Sequence, residues 1–74
     1  MEPDLKKQLG VRIRKVRRAA DLKQEGLAEK LSTSQAVISN VENGVSMIDA
    51  PDLPKWARAL GKPIMYFYEN LFEN

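Results

Sequence analysis

Apolar side chains return along this chain at helical intervals, not at the alternating intervals of a strand. Leu5, Leu9, Ile13, Val16 and Ala20 recur at steps of four, four, three and four. That is one stripe of an amphipathic helix, with lysines and arginines on its flanks. Pro3 and Asp4 suit its start, and Asp21 suits its end. Gly10 falls inside it, where glycine costs about 1 kcal/mol against alanine. Such a cost suits a position that another backbone approaches closely.

The pattern then shortens. Gln24 to Leu31 reads as a second helix with Leu27, Ala28 and Leu31 inward, and Ser32-Thr33-Ser34 makes a turn. Ser34 is a good N-cap for a third helix, whose apolar side is Val37, Ile38 and Val41. Asn43-Gly44 closes it, because glycine takes the left-handed conformation that follows many helices. Residues 45–51 read as a loop. Asp52 is placed to cap a fourth helix, with Pro54 at a position that needs no backbone donor. Leu53, Trp56, Ala57 and Leu60 line its inner side and Gly61 stops it. After Pro63, IMYFYENLF predicts a fifth helix over about 64–72, with Ile64 and Phe67 following Leu60 into the core. The fold class expected is all-α: one compact five-helix domain spanning residues 1–74.

Composition narrows the chemistry. A chain of 74 residues spends its apolar side chains on one small core, leaving little room for an enclosed active site. The sequence has no cysteine and no histidine, which removes disulfides, Cys/His zinc sites and His- or Cys-based catalysis. No base, nucleophile and oxyanion grouping can be assembled from its Ser, Lys and Glu, so the expectation is no enzyme, no metal and no cofactor. No apolar run approaches the ~18 residues of a membrane span, and the expected location is the cytoplasm. The net charge is only +2, yet residues 1–20 alone hold seven cations against two acids. A basic stripe attracts phosphate, of nucleic acid or of lipid. A membrane-surface role fits poorly, because the apolar face of this helix lacks aromatics and is needed for the core.

Within STSQAVISNVENG, residues 32–44, no charge appears before Glu42, although most of the stretch is polar. Two short helices joined by a three-residue turn form a helix-turn-helix. The second of them fits the DNA major groove, where base edges offer donors and acceptors rather than charges. Gln and Asn each donate and accept at once, which matches the adenine N6/N7 edge. Gln35 opens the third helix, Asn40 lies five residues on, and Ser39 falls near the same outward side. An uncharged polar face of this kind can read bases. Arg17 borders the stripe of the first helix and Glu42 that of the third. An acid near a helix C-terminus needs a cation to offset the dipole, so a buried Arg17–Glu42 pair is expected.

RIRKVR, KQEGLAEKL, SQAVISNVENG and WARALGK stand in that order along residues 9–68. Together they resemble the lambda-repressor-like helix-turn-helix family, the Cro/repressor-type or XRE family of phage repressors and their bacterial relatives. The resemblance implies a sequence-specific regulator of transcription, a repressor, that binds double-stranded DNA through a helix-turn-helix over about 24–43. It implies base contacts from Gln35, Ala36, Ser39 and Asn40. It also implies phosphate contacts from Gln24, Ser34 and Asn43, and a structural pair of Arg17 with Glu42. Four positions depart from the family pattern: Ser32 stands where glycine is usual, Thr33 where an apolar residue is, Gly26 where a helix former is, and Lys23 at the start of the second helix. Lys23 stands where a capping Ser, Thr or Asn is common. Lysine cannot cap, and its charge opposes the helix's positive end, but beside a phosphate the same charge assists binding. Lys23 therefore joins the expected phosphate contacts.

One recognition helix reads too few base pairs to pick a site from a genome. Members of this family generally pair, and Met65, Tyr66, Tyr68, Leu71 and Phe72 are more apolar surface than one short helix buries beneath itself. The expected assembly is a homodimer through the C-terminal helix, with help from the loop near Met47. Its recognition helices would lie about 34 Å apart on an imperfectly palindromic operator. No small-molecule effector site is evident. The rival reading is a helix-turn-helix that mainly holds another protein, antitoxin-like or RNA-associated, with IMYFYENLF as its docking surface.

Overall fold

The computed structural model describes residues 4–69. Five α-helices follow one another: α1 Leu5–Ala19, α2 Gln24–Lys30, α3 Gln35–Glu42, α4 Leu53–Leu60 and α5 Ile64–Tyr68. Asp4 caps α1 by accepting from the Lys7 N–H at 3.1 Å, and Arg17 and Arg18 occupy its last turn, where cations suit the dipole. The helix stops one residue short of Ala20, and Asp21 takes a left-handed φ of 59°. Ala20 is accordingly exposed and does not extend the inner stripe.

The core gathers one or more side chains from every helix. Leu9, Ile13 and Val16 of α1 meet Leu27 and Ala28 of α2 and Ile38 and Val41 of α3, closed below by Trp56, Ala57 and Leu60 of α4 and by Phe67. α3 lies across both α1 and α2, which hold it to the body of the domain. Gly10 is the point of closest approach: a Cβ there would stand 2.5 Å from the Val41 carbonyl oxygen.

Three expectations change. Asp52 does not cap α4; residues Ala50–Asp52 form a 3-10 turn that runs straight into the helix, and the Asp52 backbone is already helical. Its carboxylate makes no capping hydrogen bond to the first N–H groups of α4. α5 ends at Tyr68 because Glu69 adopts an extended backbone, so the helix is shorter than 64–72. Leu71 and Phe72 lie outside the described residues. Ile64 is exposed while Phe67 is fully buried, since a helix of five residues presents only one large side chain to the core beneath it.

Candidate nucleic-acid interface

α3 is short and divided sharply into two sides. Ser34 caps it, its hydroxyl accepting from the Val37 N–H, and the preceding Ser32 makes the turn with φ 54°, a left-handed value that glycine adopts at lower cost. Ile38, Val41 and Glu42 are buried, spaced as one helix face. Gln35, Ala36 and Asn40 are exposed on the other side, with Ser39 half-buried beside them. Val37 belongs to neither: it is 41% exposed and sits at the rim of a small hollow with Leu31, Thr33 and Trp56. It lies one residue, about 100°, round the helix from Ile38, so it misses the core that Ile38 enters.

Glu42 is the hub behind this surface. Its carboxylate is fully shielded from solvent and accepts from Arg17 Nε at 2.5 Å, Arg17 Nη2 at 3.0 Å, Gln24 Nε2 at 3.1 Å and Arg14 Nε at 3.3 Å. Arg17, also buried, donates its remaining Nη1 to the Leu22 carbonyl at 2.8 Å. One acid thus ties α1, the turn after it, the start of α2 and the end of α3. Burial alone would raise the Glu42 carboxyl above its ordinary value. The bonds from Arg17 and Gln24, the Arg17 charge and the bond from Arg14 outweigh it and hold the group below that value.

This hub also orients the exposed side of α3. An ionised carboxylate only accepts, so Gln24 must turn its amide nitrogen toward Glu42. Its oxygen then faces outward and accepts from Gln35 Nε2 at 3.2 Å. Gln35 is left with a free carbonyl oxygen and a second N–H, one acceptor and one donor side by side. Those are the groups a bidentate contact with adenine needs.

At the far end of α3, Asn43 donates from Nδ2 to the Ser39 hydroxyl at 3.2 Å, and its carbonyl oxygen accepts from Arg14 Nη2 at 2.7 Å. Ser39 keeps its own O–H free to donate. Lys23 stands as the N-cap of α2 with an extended backbone and makes no side-chain cap. The first N–H groups of that helix therefore lack a side-chain acceptor. Arg14 is the residue the pattern of apolar positions misses. It lies on the rim of the α1–α3 contact, and its only sequence signal is its place three residues before Arg17, on the same helix face.

The expected dimer contacts divide. Met65 is 69% exposed and Tyr68 is also exposed, joined on that side by Ile64. Tyr66 turns the other way. It is half-buried, with Arg12 and Lys62 over its ring and Phe67 edge-on to it at 5.6 Å between centroids. Arg12 also donates to the Tyr66 carbonyl at 2.9 Å and to the Glu69 carbonyl, clamping α5 to α1. Its ring and carbonyl are thus both engaged within the chain. No helix among the described residues is long and apolar enough to cross a membrane.

A helix-turn-helix family model, HTH_3, matches residues 13–67. A protein of Rhodospirillum rubrum described as an uncharacterized transcriptional regulator in the ATPase CF(0) region is 40% identical over 63 residues. That match takes in 85% of this chain, which spans only 58% of the relative's length. The clp gene regulator ClgR of Corynebacterium glutamicum superposes with a TM-score of 0.87 at 25% identity, over 96% of this chain and 91% of that one. The restriction-modification controller protein C.Esp1396I, solved as a tetramer on its natural 35 base-pair operator, superposes with a TM-score of 0.78 at 25% identity. There the match covers 90% of this chain and 88% of the controller's.

Proposed function

The chain belongs to the HTH_3 helix-turn-helix family of DNA-binding transcriptional regulators, and from that premise we propose that it represses transcription by reading an operator in duplex DNA with α3. The observation that carries this reading is the exposed, uncharged face of Gln35, Ala36 and Asn40, with Gln35 oriented through Gln24 by a buried carboxylate. A face built for solvent alone has no need of a fixed amide. Gln35 and Asn40 read base edges, Ala36 meets a thymine methyl, and Ser39 donates from its free hydroxyl. Lys23, Gln24, Ser34 and Asn43 contact the backbone phosphates on either side. The cytoplasm, where a bacterial or phage operator is found, is the matching location.

Two copies are needed to specify a site. The exposed Ile64, Met65 and Tyr68 support a two-fold contact through α5, with Met47 of the loop also exposed. The controller C.Esp1396I occupies its operator as a tetramer, which makes pairing on an extended operator the natural expectation for this chain too.

Gln35→Ala and Asn40→Ala test the reading face. Each is expected to lose about 1–3 kcal/mol at particular base pairs of the bound site, with affinity for unrelated duplex nearly unchanged, since neither side chain is charged. Competition binding against single base-pair changes measures this. A uniform loss on every sequence would make both residues backbone contacts.

A further inference from the structure

From Leu31 to Pro54 the sequence contains no lysine or arginine, while Glu42, Asp49 and Asp52 are all acidic. This stretch holds the whole of α3 and the loop behind it. The C-terminal end of α3 adds the negative end of a helix dipole. A helix so placed cannot by itself attract a polyanion to its far end, and a cation from another element must be near it.

Two arginines of α1 reach that end, against one carboxylate. Arg17 is buried, and its guanidinium is used by Glu42 and the Leu22 carbonyl. Arg14 is different. Its side chain is 34% exposed, and it spends Nε on Glu42 and one Nη2 hydrogen on Asn43. A guanidinium has five N–H donors, so three remain without a partner among the described residues. Glu42 can neutralise only one of the two arginines, which leaves one positive charge, and the solvent-facing side of the pair is Arg14. Beside it, Asn43 has one Nδ2 hydrogen not given to Ser39.

We propose that Arg14, held against Asn43, is a ligand for a DNA backbone phosphate at the C-terminal end of α3. The proposal rests on the DNA-reading assignment above and adds to it the cation that the recognition segment lacks. The phosphodiester accepts from the free guanidinium edge and from Asn43 Nδ2 together. The bond between Arg14 and Asn43 sets the spacing of the two donors before DNA arrives.

The test is the salt dependence of binding to a short duplex of arbitrary sequence, measured by fluorescence anisotropy on the full chain. Arg14→Gln should make the slope of log K against log salt shallower by about 0.9 per protomer. Between roughly 50 and 200 mM salt the variant should then lose about threefold less affinity than the parent, per protomer. Arg14→Lys should keep the parent's slope, because the charge remains. Lys15→Gln removes a cation from the side of α1 that lines the groove beside Tyr66, and it should keep the slope as well. Arg14→Met, which retains the stem, carries the same expectation as Arg14→Gln if that variant fails to fold. A role in positioning α3 alone would lower affinity by one factor at every salt concentration, and an unchanged slope in the charge-removing variants overturns the proposal. So does an equal loss of slope in Lys15→Gln, which would report net charge and not a contact. If the parent protein binds no duplex at low salt, the DNA-reading assignment itself falls and the proposal with it; an unchanged slope in a parent that does bind removes Arg14 alone.

Discussion

Glu42→Gln is expected to remove about 3–5 kcal/mol of stability, the usual cost of leaving a buried charge without its partner. The neutral amide keeps the shape but strands Arg17, which is buried and has no other counter-charge among its bonds. The total stability of a domain is about 5–15 kcal/mol, so this is a large fraction of it. At about 4–8 °C per kcal/mol for a chain of this size, the melting temperature should fall by at least about 12 °C. Thermal unfolding followed by circular dichroism measures it, and a shift of a degree or two would contradict a stabilising hub. Acid should act through the same group. Its folded-state pKa lies below the ordinary 4.5, so its contribution is present above that pH and is lost as pH falls through the folded value. The parent should therefore lose melting temperature below about pH 4.5, and Glu42→Gln should lack that part of the profile.

Gly10→Ala has the second-largest expected effect, and its sign is opposite to what helix propensity suggests. In an exposed helix the change would stabilise by about 1 kcal/mol. Here the added carbon would meet the Val41 and Glu42 carbonyl oxygens at 2.5 and 2.6 Å. Both are backbone atoms of α3 and cannot swing aside, so α1 and α3 must separate. Overpacking typically costs about 1–3 kcal/mol and occasionally more, and a clash with backbone belongs at the upper end. A net loss of about 2 kcal/mol is expected. Because separation also pulls Glu42 from Arg17 and tilts α3, affinity for DNA should fall with it. Urea unfolding decides the matter: a variant as stable as the parent would mean the two helices do not touch at Gly10.

How far the sequence reveals this molecule depends on which force sets each feature. The long stripe of α1 and the inner sides of α2 and α4 are legible because burial imposes a helical period on them. Arg17 and Glu42 each border such a stripe, and Gly10 marks a close approach, so the α1–α3 contact can also be anticipated. The rims are harder. Val37 and Ile64 are apolar, yet each lies a fraction of a turn outside the core, and which of two adjacent apolar residues goes inward depends on how its helix is rotated by neighbours. Tyr66 turns toward α1 because Arg12 and Lys62 offer its ring two cations, a contact with no periodic signature. Asp52 is misread because the 3-10 turn before α4 is already helical in backbone. On the exposed side of α3, residue types single out Gln35 and Asn40 as candidates, but only the structure reveals that Glu42 orients Gln35 through Gln24 and that Arg14 holds Asn43.

A helix α3 that reads a particular sequence of duplex DNA must select that sequence from a random mixture. Repeated selection of bound molecules from a pool of random duplexes tests it most directly. The pool is expected to converge on an imperfect palindrome whose half-sites lie about 10 base pairs apart, centre to centre, with the strongest preferences at a few positions in each half. Recovered molecules no more alike than the starting pool would contradict it.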